Sequence, residues 1–100
     1  NKDIAYEIGK IKKDKILVGF AAETNDIIEN AKGKIAKKNM DFIVANNLKE
    51  SGAGFGTDTN VVSIVEKDGS MKKYPMMTKE EVASVILDKI KVLIDEKSSL

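Results

Sequence analysis

Lys34 and Lys38 stand four residues apart, so on a helix both ammonium groups project to one side, flanking an apolar stripe. Their mutual repulsion costs on the order of a few tenths of a kcal/mol. It is offset either by the negative carboxyl end of the helix or by a polyanion lying between the two amines. Gly33, within the same stretch, costs about 1 kcal/mol relative to alanine, and marks close approach by a backbone or ligand, or simple drift. Phe20 follows Gly19 and precedes Ala21 and Ala22, which leaves room for a flat ring to lie against its face. It reads equally as a plain core phenylalanine. Asn46 and Asn47 close an apolar run, where they either end it through side-chain turns or offer an amide to a ligand edge. The string Gly52-Ala53-Gly54-Phe55-Gly56 has the composition of a phosphate loop, but a strand follows it where the dinucleotide fingerprint must open a helix. It is read as a loop.

Other chemistry is closed to this chain. It contains no cysteine and no histidine, so its own residues supply no thiolate or imidazole to a metal, no histidine base and no disulfide. All 17 basic residues are lysines, which leaves point-charge contact with phosphate as the available cationic chemistry. Against 16 acidic residues they give a net charge of +1, too little for the basic surface of a duplex binder. No apolar run approaches the length that spans a bilayer, and no secretory signal opens the chain. A soluble cytoplasmic protein without nucleic acid or membrane partners is expected.

The elements that would position these residues follow from spacing. Ile4, Ala5, Ile8 and Ile11 predict a short first helix, weakened by Gly9. Lys15 to Ala22 is near-continuously apolar, as in a central strand covered on both faces. Thr24 would cap a helix carrying Ile27, Ile28, Ala31 and Ile35, and Asp41 to Asn47 gives a second buried strand. Strand, helix and strand in this span predict a crossover joining parallel strands. Val61 to Glu66 and Met71 to Pro75 then form a hairpin about Asp68-Gly69. A capping box from Thr78 to Glu81, with Met77 stapled to Val82, starts a last helix whose apolar face runs through Val82, Val85, Ile86, Ile90, Leu93 and Ile94. The expected fold is therefore α/β, a sheet with an exposed edge.

Four strings occur in order: Gly19-Phe20-Ala21-Ala22-Glu23-Thr24; Lys34 to Lys38 with Asn39-Met40-Asp41; Ile43-Val44-Ala45-Asn46; and Gly54-Phe55-Gly56-Thr57-Asp58-Thr59-Asn60. Together they resemble the C-terminal part of bacterial phosphopantothenate–cysteine ligase, which is usually fused behind a flavin-dependent decarboxylase in coenzyme A biosynthesis. The resemblance implies a Rossmann-like three-layer sandwich, with residues 1–100 forming the C-terminal portion of one ligase domain whose other half lies upstream. It implies CTP as the activating substrate, Mg2+ on the triphosphate, and 4′-phosphopantothenate and cysteine as the acids joined. FMN is implied only on the fused decarboxylase domain, and a homodimer or higher oligomer is the implied assembly. Residue by residue, Phe20 matches the aromatic beside the nucleotide, Lys34 and Lys38 match two lysines on the phosphates, and Asn46 matches an asparagine nearby. Lys2, Asp3, Ile4 and Ala5 fall on a short segment that helps hold the nucleotide, with Lys2 where the family commonly has proline. The catalytic residues are implied upstream, so these hundred residues alone are expected to be inactive.

Overall fold

A computed structural model describes residues 3–22, 26–47 and 59–98. The first helix, α1 (Ile4–Ile11), is capped by Asp3, whose carboxylate accepts the Tyr6 N–H at 3.1 Å. Its apolar stripe does not face the interior as a core-facing stripe would. Ala5 packs inward, while Ile4 and Ile11 are 70% and 74% exposed and Ile8 is exposed beside them. The reason is Gly9, which lies so close to α2 (Ile27–Lys38) that a Cβ there would stand 1.9 Å from the Lys38 carbonyl oxygen. That backbone approach turns the side carrying Ala5 and Gly9 toward the protein. Asn39 fastens the crossing by donating its side-chain N–H to the Gly9 carbonyl at 2.9 Å.

The strand β1 (Val18–Ala22) pairs in parallel with β2 (Phe42–Asn46), with Phe20 opposite Val44 and Ala22 opposite Asn46. The helix α2 joins them, as the crossover pattern predicts. It starts at Asp26, which sits in the left-handed region and makes no side-chain cap bond; Thr24, the expected cap, lies outside the described residues. A two-residue strand, β3 (Thr59–Asn60), leads into β4 (Val62–Glu66), which runs antiparallel to β2. The hairpin turns at Gly69, which has a φ of +85°, into β5 (Met71–Lys73). Then β6 (Met77–Thr78) pairs back on β3 as a small second sheet, and α3 (Lys79–Ser98) closes the described chain. The capping box forms as expected: Thr78 N–H donates to Glu81 at 3.0 Å and Glu81 N–H to the Thr78 hydroxyl at 3.1 Å.

The main sheet has the order β1-β2-β4-β5. Alternation along each strand sends side chains to two faces. On one, Ile43 and Val65 pack with Ala31 and Ile35 of α2; on the other, Phe42, Val44 and Ile64 pack beneath Val82, Val85, Ile86, Ile90 and Leu93 of α3. Helix, sheet and helix make the expected three layers. Ile94 departs from the predicted face and is exposed. Ser63, fully buried in β4, leaves its hydroxyl without a hydrogen-bond partner among the described residues.

Among the described residues β1 stands at one end of this sheet, paired on one side with β2, and Phe20 is 71% exposed. The opposite end is protected. There β5 is three residues long, carries Lys72 and Lys73, and is followed by Pro75, all devices that discourage further pairing.

Candidate functional site

The predicted residues fall into two groups. Phe20 shares the side of β1 with Val18, the side facing α3. With Asn46 at the end of β2 it lines a hollow of about 400 Å³, floored by Val44, Val62 and Val82 and bordered by Asn60. The hollow sits at the carboxyl ends of two parallel strands, where open α/β sheets collect ligands. An aromatic ring, an apolar floor and two carboxamides suit a flat heterocycle with polar edges.

Lys34 and Lys38 lie on α2, which covers the other side of the sheet, and line a second hollow of about 450 Å³ with Asp3 and Gly33. Among the described residues nothing comes within 4 Å of the place a Cβ on Gly33 would occupy, which leaves approach by a ligand or simple drift of the three readings of that glycine. Lys38 forms an ion pair with Asp3 at 3.1 Å, and Lys34 has no ion pair among the described residues. The Asp3 carboxyl is held below its ordinary value by the Tyr6 amide and then by Lys38. A phosphate at Lys38 would therefore share that ammonium with a carboxylate. Ile4 follows Asp3 with its side chain in solvent, and Ala5 is turned toward the core. Lys2 lies outside the described residues, as does the glycine-rich stretch 52–56. The structure brings Asp3, Lys34 and Lys38 together, and Phe20 and Asn46 together, but sets the two groups on opposite sides of the sheet.

At the other end of the strands is a closed cluster. Asp41, just before β2, accepts from Lys12 at 2.8 Å and from the Leu17 N–H at 2.8 Å, with both charged side chains almost completely buried. Lys97 at 3.4 Å and Lys67 at 3.8 Å stand by its second oxygen. Burial pushes the Asp41 carboxyl up, but the Lys12 and Leu17 hydrogen bonds, with the charges of Lys12 and Lys97, outweigh it and hold the group below its ordinary value.

Residues 1–93 match the profile of the DNA/pantothenate metabolism flavoprotein C-terminal domain. The chain belongs to this family. It is 54% identical over 91 residues to the coenzyme A biosynthesis bifunctional protein CoaBC of Bacillus subtilis (strain 168), covering 91% of this chain and 22% of that one. It is 50% identical over 94 residues to a cysteine/cysteine sulfinic acid decarboxylase of an unknown prokaryotic organism, covering 93% and 26%. The crystal structure of the C-terminal domain of CoaBC superposes with a TM-score of 0.85 at 42% identity, covering 96% of this chain and 46% of that one. The chain thus spans roughly a quarter or less of these two curated relatives and under half of the solved domain. The resemblance to the ligase part of the bifunctional proteins holds over nearly the whole of it.

Within this family domain, sequence reasoning passed over Asn60 and the Asp41 cluster. Asn60 lay in a quoted string, but only the return of β3 onto β6 brings it beside Phe20. Lys12 and Asp41 are 29 residues apart, a separation that leaves no periodic signal.

Proposed function

We propose that this chain is the nucleotide-side portion of a ligase that joins 4′-phosphopantothenate to cysteine at the expense of CTP, in coenzyme A biosynthesis. The observation that carries this reading is the likeness, over nine-tenths of the chain, to proteins named for coenzyme A biosynthesis. In the reaction the phosphopantothenate carboxylate attacks the α-phosphorus of CTP and pyrophosphate leaves, giving an acyl-cytidylate. Cysteine's amine then attacks the acyl carbon, loses a proton, and CMP departs. A free carboxylate is a poor acyl donor to an amine, so the protein's task is to position the anhydride and neutralise the triphosphate.

Phe20 and Asn46 take the base in this reading, and Lys34 and Lys38 take phosphates near the Lys2–Ala5 segment. Because the two groups lie on opposite sides of the sheet, a nucleotide reaching both passes round the β1 end of the sheet or takes its lysines from a second copy of the chain, which accords with a homodimer. Among the described residues no three acidic side chains converge, so these residues form no carboxylate cage for Mg2+. FMN belongs, on this reading, to the fused decarboxylase part, and the setting is cytoplasmic. Among the described residues no helix is long and apolar enough to cross a membrane.

The test uses the full-length polypeptide. Pyrophosphate release that requires CTP, phosphopantothenate and cysteine together supports the reading, and release indifferent to any of the three overturns it. One observation favours a second reading, an interaction module: among the described residues α1 leaves Ile4, Ile8 and Ile11 in solvent. That module would show partner-dependent folding with no nucleotide preference.

A further inference from the structure

We infer that Asp41 is a positioning residue: it fixes the register of β1 on β2, and through that register the side of the sheet on which Phe20 stands. The link to nucleotide binding rests on the function proposed above; the link to register does not.

Slipping a strand by one residue moves every side chain to the other face. Within β1 itself Gly19 is the one residue that resists that slip. Val-Gly-Phe-Ala-Ala contains two alanines and a glycine, and among the described residues the strand is paired on one side only. Hydrophobic burial even opposes the observed register, because the slip would carry the exposed Phe20 toward the side of the sheet covered by α2. That side is full at this level: a Cβ on Gly19 would lie 2.6 Å from the Met40 sulfur and 3.2 Å from Ile43 Cγ1. Packing excludes a bulky group there, and hydrogen bonding at the strand's entrance fixes which residue takes the place.

Asp41 holds Leu17, the residue before β1, in both directions. Its backbone N–H donates to the Leu17 carbonyl at 2.7 Å, and its carboxylate accepts the Leu17 N–H at 2.8 Å. The Lys12 ammonium bonded to that carboxylate also donates to the Lys15 carbonyl at 3.2 Å, so the approach to the strand is held at three residues, Lys12, Lys15 and Leu17. Lys97, near the end of α3, reaches the same carboxylate and the same Lys15 carbonyl. The strand that carries Phe20 and the helix that carries Val82, two walls of one hollow, therefore meet at one carboxylate.

Two double variants of the full-length polypeptide separate this role from the stability of a buried ion pair. Lys12→Met with Asp41→Asn removes both charges and keeps a side-chain acceptor for the Leu17 N–H. Lys12→Met with Asp41→Leu removes both charges and the acceptor. The first is expected to keep slow hydrogen exchange at the β1 amides and the parent's CTP affinity. The second is expected to exchange faster in β1 while α3 keeps its protection, and to bind CTP about tenfold or more weakly. Identical exchange in β1 for the two variants, or an equal loss of protection in every element, overturns the inference. If the parent binds no CTP the proposed function fails, and the exchange comparison still decides the register.

Discussion

The two ends of the parallel strand pair are built on opposite terms. Where the strands begin, Asp41 and Lys12 are buried, bonded to each other and to backbone, and joined by Lys67 and Lys97. Where the strands finish, Phe20 stands mostly in solvent beside a hollow bordered by Asn46 and Asn60. One end uses charge to fix the chain; the other leaves ring and amide surface unspent. The difference teaches that charge alone does not mark a candidate ligand site. Among the described residues the Asp41 cluster ties chain to chain, and the hollow suited to a base is nearly uncharged.

The sharpest way to break that contrast is to remove the lysine at the centre of the closed end. Lys12→Ala leaves the Asp41 charge buried with its main partner gone and should lower the unfolding free energy by about 3–5 kcal/mol in urea titrations. A loss no larger than that of a surface lysine would erase the distinction. Gly9→Ala tests the seat of α1. Its methyl would collide with the Lys38 carbonyl, and the forced separation from α2 should cost about 1–3 kcal/mol, seen as a lowered urea midpoint. Thr78→Ala removes half of the capping box near the open end and should cost about 1 kcal/mol by the same measurement.

Acid sharpens the comparison through its sign. The Asp41 carboxyl is held below its ordinary value of 3.8, facing Lys12, Lys67 and Lys97. Its contribution to stability is therefore present above that value and is lost as the pH falls through the lower, folded one. The exposed Asp3 and Asp68 are shifted the same way. Unfolding free energy should begin to fall below about pH 5 and go on falling as the pH drops through the lowered folded values, and Lys12→Met with Asp41→Asn should flatten much of that slope. Smallest of all is Lys34→Ala, an exposed lysine whose loss should change stability by no more than about 0.5 kcal/mol. On the proposed function the same substitution raises the KM for CTP; unchanged CTP kinetics would remove Lys34 from the phosphate site.

Much of this architecture was legible in the sequence, because each legible part carries a local signature. The last helix announces itself through Thr78 and Glu81 and five apolar residues on one face, and Asp68-Gly69 marks the hairpin. What escaped was relational. Periodicity shows that Ile4, Ile8 and Ile11 share a stripe but not what the stripe faces, and a glycine contact with α2 decided that. Strands of two residues, as in β3 and β6, are too short to show alternation. For the candidate site, residue types identified Phe20, Asn46 and the lysine pair, but spacing could not say that the strand turns Phe20 toward α3 while the lysines ride on α2.

Ser63 gives the sheet one more property. Its hydroxyl is buried in the middle of β4 and finds no partner among the described residues. Where a polar atom is dehydrated without compensation, deleting it can strengthen the whole. The centre of this domain thus holds an untapped reserve of robustness, one oxygen away from release, one residue along the strand from the Val62 floor of the hollow.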